Sequence, residues 1–197
     1  MLDASAGSKH CALAAYHDGN SPHRETTVIR TLTEHLSQYA SYHRDTRNVA
    51  THVIGIPLIV LAIAALLSRP AWPVFSGAFP LTPAVILFTL ATLFYLRLDL
   101  PLGFGMGMVS AASAWFGYRV AMQSTTLRLA IGVGMFVTGW AFQFVGHLRF
   151  EHRKPAFVDD VVGLLIGPLF ILVELLSALG LRRDLHIAIH TPNTVTR

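Results

Sequence analysis

Four stretches of this chain carry no Asp, Glu, Lys or Arg: residues 48–68, 70–96, 100–118 and 129–148. A helix that crosses a membrane needs about 20 predominantly apolar residues. Four spans are therefore expected, at about 49–67, 82–96 (after a loop over 70–83), 101–118 and 129–148. The second is short and takes in part of the loop before it. The composition agrees: 53% of residues are hydrophobic, only 13% are charged, and the mean hydropathy is +0.52. Soluble domains carry about 25% charged residues, and disordered chains combine low hydrophobicity with high charge, so both classes are excluded. A length of 197 residues fits one domain, at most two.

A fifth apolar stretch, 161–181, is interrupted by Glu174 and holds Gly167-Pro168 at its middle. Proline removes a helix hydrogen bond and clashes with the preceding turn, so a broken re-entrant or interfacial element is expected there. Charge bias supports that choice over a fifth crossing. With four crossings and a cytoplasmic N-terminus, only Arg69, Arg119 and Arg128 of the fifteen Lys and Arg residues lie on the far side. That is a positive-inside pattern, which a fifth crossing would weaken. The expected fold is all-α: an integral-membrane bundle of about four transmembrane helices with both termini cytoplasmic. Residues 1–30 read as a poorly ordered polar tail without a secretory signal pattern, 31–185 as the membrane-embedded catalytic domain, and 186–197 as a second polar tail. The stripe Gly103, Gly107, Ala111 lets helix backbones approach closely.

The net charge is only +4, without the one-sided basic clustering that nucleic acid binding needs. The single cysteine, Cys11, excludes an intramolecular disulfide and a cysteine-based metal site. Chemistry concentrates instead at two polar blocks. His43, Asn48 and His52 stand where the first span begins; Gln143, His147 and Glu151 follow at four-residue spacing where the fourth ends. Ionisable residues in membrane helices are costly and point at a cavity, a partner or an ion. Helices running in opposite directions place these residues at one membrane depth, on the same side as Asp99. Three neutral imidazoles and a carboxylate suit Fe(II) or Zn(II), with Asn48, Gln143 and Asp159 as candidates to orient the rings. Each histidine can equally be an interfacial residue bonded to backbone or headgroups. His43 and His52 are nine apart, half a turn out of phase on one helix. Both reach one ion only if the chain breaks between them, for which Asp45 or Thr46 would be the N-cap. His35 belongs to an amphipathic surface stretch, and Glu174 reads either as a proton-transfer group or as the polar edge of an interfacial helix. His186 and His190 read as solvated residues of the terminal segment. Gly-rich phosphate loops in the right context, a G-x-S-x-G elbow and H-E-x-x-H are absent.

Three blocks agree in order and spacing: Tyr42-His43, Asn48-Val49, His52 and Gly55-Ile56-Pro57; then Phe142 to His147, Glu151 and Lys154 to Asp159; then Gly167-Pro168-Leu169-Phe170 and Glu174. Over about 32–185 the chain resembles the small integral-membrane 2-hydroxy fatty acid dioxygenases. The resemblance implies an Fe(II)-dependent enzyme of fatty acid α-oxidation that shortens a 2-hydroxy acid by one carbon. It implies that His43, His52 and His147 are the essential histidines. Where some members carry a second histidine or an asparagine just after the first, this chain has Arg44 and Asp45. On this reading the partners are O₂, a long-chain 2-hydroxy acid and the bilayer. Arg44, Arg47, Arg149 or Lys154 would pair with the substrate carboxylate, and Glu151 would be a fourth ligand. A zinc-dependent membrane hydrolase and a non-enzymatic lipid-binding protein are the alternatives.

Overall fold

A computed structural model describes residues 31–74, 79–152 and 162–191; the expected tail over 1–30, Lys154 and Asp159 lie outside the described residues. The order is α1 (Leu32–Ser41), α2 (Thr46–Leu66), β1 (Trp72–Val74), β2 (Phe79–Leu81), α3 (Pro83–Leu98), α4 (Leu100–Ala121), α5 (Thr125–Gly146), a π-helical turn (His147–Glu151), α6 (Gly163–Ala178) and α7 (Arg183–His190). The fold is all-α apart from the antiparallel β1–β2 ribbon, which occupies the stretch expected as a plain loop.

Local chemistry sets the helix boundaries. Thr31 and Glu34 form a reciprocal capping box at α1. Asp45 caps α2 by accepting the Arg47 N–H at 2.8 Å, so the break required between His43 and His52 is present. Thr82, Asp99 and Ser124 cap α3, α4 and α5 in the same way. Asp99 also ends α3, which makes the α3–α4 joint a single residue.

Helix α2 packs chiefly on α5, with α4 and α6 beside it; α3 pairs with α4, and α7 lies on α1 and α6. The α2–α5 crossing depends on two glycines. A Cβ added at Gly139 would stand 2.8 Å from the Gly55 carbonyl oxygen, and one added at Gly55 would stand 2.8 Å from the Gly139 carbonyl oxygen. Gly103 serves the α3–α4 pair likewise, its Cβ position lying 2.6 Å from the Leu96 backbone.

Two helices, Thr46–Leu66 and the run Thr125–Glu151, are long and apolar enough to cross a membrane; Pro83–Leu98 and Gly163–Ala178 are apolar but shorter. Outward faces carry large exposed apolar side chains, among them Leu90, Leu93, Phe104, Trp115 and Val137. Such extended apolar surface suits hydrocarbon better than water. At one end Arg69 donates to the Ala121 carbonyl and Arg128 to that of Leu66. Both arginines therefore lie at the opposite end of α2 from its histidine.

The expected break in the fifth stretch is corrected: α6 runs through Pro168 without interruption. The lost hydrogen bond and the clash cost roughly 3 kcal/mol. Leu169, Phe170, Ile171 and Val173 just beyond it are all buried, and their close packing in the bundle offsets that cost. Residues 186–190, expected as tail, complete α7, with Ile189 buried.

Candidate metal centre

Three histidines from three elements converge at one end of the bundle. His43 lies in the turn after α1, His52 on the second turn of α2, and His147 opens the π turn after α5. Each is only 1% exposed. Their ligand atoms all lie within 4.8 Å of one another. The ring centroids of His147 stand 4.9 Å from those of both His43 and His52.

Hydrogen bonding fixes two of the tautomers. His43 Nδ1 lies 2.8 Å from the Tyr39 carbonyl oxygen, and His52 Nδ1 lies 2.9 Å from that of Asn48. A carbonyl can only accept, so both Nδ1 atoms carry the proton, and in the neutral rings both Nε2 atoms are bare lone pairs. Yet the two Nε2 atoms face each other at 3.0 Å. Two lone pairs at that distance repel unless a cation lies between them. A proton is opposed by the surroundings: burial pulls the His43 pKa down to about 4, the Tyr39 bond opposing this and the nearby His147 adding to it. A metal ion accepts both lone pairs, and zinc- or iron-bound nitrogens sit about 3.3 Å apart in a tetrahedral site. His147 adds a third nitrogen: its Nδ1 is buried with no hydrogen-bond partner. The donor set therefore fits a metal ion.

The carbonyls that bind the Nδ1 atoms act as orienting groups. Both come from the residue four positions earlier, one helical turn back. Tyr39 does more: its ring stacks on His43 with centroids 4.2 Å apart and planes 10° from parallel. Phe170 packs on the same two rings. Neither Tyr39 nor Phe170 was singled out as a site residue in the sequence, although the i, i+4 spacing of Tyr39 and His43 was visible there.

Glu151, expected as a fourth ligand, stands outside the cluster. Its Oε1 accepts the Asp45 backbone N–H at 2.7 Å and Asn48 Nδ2 at 3.3 Å. A π turn carries the chain from His147 to Glu151. The carboxylate thus ties the end of α5 to the first turn of α2, the segments that carry His147 and His52. Asn48 bridges Glu151 and His52 by its side chain and carbonyl respectively. Gln143 is buried, and its Nε2 has no hydrogen-bond partner.

Of the arginines expected at a substrate carboxylate, two are exposed and one is ion-paired. Arg44 and Arg149 are exposed. Arg47 is paired with Asp45 at 3.1 Å and lies over the Phe150 ring. Asp99 is occupied as the α4 cap and as the partner of Arg182. His35 is outside the cluster, edge-on to Phe94.

An apolar cavity of about 290 Å³ leads from the histidines into the bundle. His52, His147 and Gln143 lie at its polar end; Ile56, Ile59, Val60 and Ile63 of α2, Phe136 and Trp140 of α5, and Leu164 and Pro168 of α6 form its walls. His52 to Ile63 is eleven residues, about 16 Å along the helix.

Fold and site together define a helical protein of apolar surface whose buried three-histidine cluster, able to hold a metal ion, ends an apolar groove. Comparison with known proteins narrows this. A sequence profile described as 2-hydroxy-palmitic acid dioxygenase Mpo1-like matches residues 29–179. The 2-hydroxy-palmitic acid dioxygenase MPO1 of Saccharomyces cerevisiae is 34% identical over 152 residues, covering 76% of this chain and 82% of that protein. The chain belongs to the Mpo1-like family. No solved structure matches it.

Proposed function

We propose that this protein is an Fe(II)-dependent dioxygenase that shortens long-chain 2-hydroxy fatty acids by one carbon, with His43, His52 and His147 as the metal ligands. The observation that carries the reading is the apolar groove ending on two of the three histidines. It would take an acyl chain and bring the substrate's polar end to the metal. The name of the yeast relative supports a 2-hydroxy acid as substrate class. Fe(II) held there would supply the activation of O₂. The overall change balances with one O₂ consumed: R–CH(OH)–COOH becomes R–COOH, CO₂ and water.

The chain's own groups do the rest. The Tyr39 and Asn48 carbonyls keep the His43 and His52 rings aimed inwards. Glu151 holds the two ligand-bearing helices in register. Gln143, whose unpartnered Nε2 lies at the polar end of the groove, donates to an oxygen of the substrate. The walls exclude water and hold the chain; each buried CH₂ contributes about 0.8 kcal/mol. Four crossings, with both termini and the histidine end on the cytoplasmic side, complete the reading.

Oxygen uptake by the detergent-purified protein tests it. Iron-loaded protein should consume O₂ with 2-hydroxypalmitate, and neither with palmitate nor with lactate. Zinc-loaded protein should consume none. Equal oxygen uptake by the zinc-loaded and iron-loaded forms, or none by the iron-loaded form with 2-hydroxypalmitate, would overturn the reading.

A further inference from the structure

A second convergence of metal-ligating atoms lies apart from the first. Glu174 of α6 faces two histidines of α7. Its Oε1 is 2.9 Å from His190 Nε2, and its Oε2 is 3.4 Å from His186 Nε2. The ligand atoms of all three lie within 4.8 Å of one another. His186 and His190 are four apart, so they project from one face of α7, and their ring centroids are 4.5 Å apart. All three side chains are partly solvent-accessible. The family profile match ends at residue 179, so both histidines lie beyond it.

We propose that Glu174, His186 and His190 form a second metal site, taking Zn(II), that clasps α7 to α6. Without a metal, each ring can donate its Nε2–H to one carboxylate oxygen. With those protons released, one dication satisfies both Nε2 lone pairs and the carboxylate together. The observed N–O spacings bracket the roughly 3.3 Å between ligands of a tetrahedral zinc. Two imidazoles and a carboxylate are a zinc donor set, and partial exposure leaves room for water to complete the coordination.

The clasp has a mechanical purpose. Helix α7 has eight residues, and Arg182 at its start makes no side-chain cap. Isolated helices shorter than about 12–15 residues are marginal in water. Only Leu185 and Ile189 of α7 are buried, and they press on the core that contains Phe170. The rings of His190 and His43 both flank Phe170, at 6.2 and 5.8 Å. A metal joining α6 to α7 therefore fixes the cover over one wall of the three-histidine cluster, without adding a ligand to it.

Untagged full-length protein in detergent, titrated with Zn(II) and analysed for bound metal, tests this. Wild type should hold one more equivalent than E174Q/H190A. The variant's remaining metal should depend on His43, His52 and His147. Loss of a ligand should weaken the second site more than the 10–100-fold typical of losing an orienting partner. H190Q, which keeps a donor for Glu174, should lose the metal as fully as H190A. Amide hydrogen exchange over 183–190 should slow with Zn(II) in wild type and not in E174Q/H190A. Equal zinc stoichiometry in wild type and E174Q/H190A would overturn the proposal, as would a zinc-independent exchange rate in wild type.

Discussion

Gly139→Ala should damage the metal centre without touching it. The added Cβ would stand 2.8 Å from the Gly55 carbonyl oxygen, 3.1 Å from the Ile59 nitrogen and 2.7 Å from Ile59 Cγ1. Two of those three neighbours are backbone atoms, so no side chain can swing aside to relieve the contact, and α2 must move off α5. Overpacking of this kind costs about 1–3 kcal/mol. The gain in helix propensity from Gly to Ala returns at most about 1 kcal/mol. His52 lies one turn from Gly55 on α2, and His147 lies eight residues from Gly139, about 12 Å along α5. Splaying at the crossing therefore separates the ligands at the end of the pair. A net loss of 1–2 kcal/mol corresponds to roughly 5–30-fold weaker metal retention. The assay is competition for the metal with a chelator, beside thermal unfolding. Gly134→Ala is the control: a Cβ there meets nothing within 4 Å, so it should leave metal binding alone and raise stability by up to about 1 kcal/mol. If Gly139→Ala retains metal and melts like Gly134→Ala, the close approach of α2 and α5 does not set the site.

Three further outcomes follow from the same geometry. Alanine at His43, His52 or His147 should abolish metal retention in elemental analysis, whereas Glu151→Gln, which weakens two bonds to Asp45 and Asn48, should weaken it by about 10–100-fold with helical circular dichroism preserved. Ile63→Phe, at the far end of the groove, should shift preference towards shorter 2-hydroxy acids in a competition assay and leave metal content unchanged. Topology reporters after Arg69 and after Arg197 should report opposite sides of the membrane; the same side for both would remove the four-crossing arrangement.

The sequence was most legible where one residue type has one physical reason to be there. Long charge-free apolar runs favour helix, so α2 to α5 fall within a few residues of their expected positions, although the second run opens with the β1–β2 ribbon. The helix break at Asp45 was legible because His43 and His52 cannot meet on a continuous helix. The bonds from Glu151 to Asp45 and Asn48 were not legible, for the opposite reason. A spacing of four assumes α geometry, and the π turn at His147–Glu151 has no signature in residue types alone. Pro168 misled likewise: its local penalty is visible in sequence, but the burial of Phe170 and its neighbours that offsets it is a property of the packed bundle. Gly55 and Gly139 lie 84 positions apart in the chain, so their mutual contact left no local pattern. His186 and His190 looked solvated because Glu174, which gathers them, belongs to a different helix.

The chemistry itself is tested most directly by mass spectrometry of the acid formed from 2-hydroxypalmitate by iron-loaded protein, run in parallel under air and under argon. The proposed reaction gives the acid one carbon shorter under air, none under argon, and none from the His52→Ala variant. The same shortened acid appearing under argon, or an unchanged yield from His52→Ala, would contradict it.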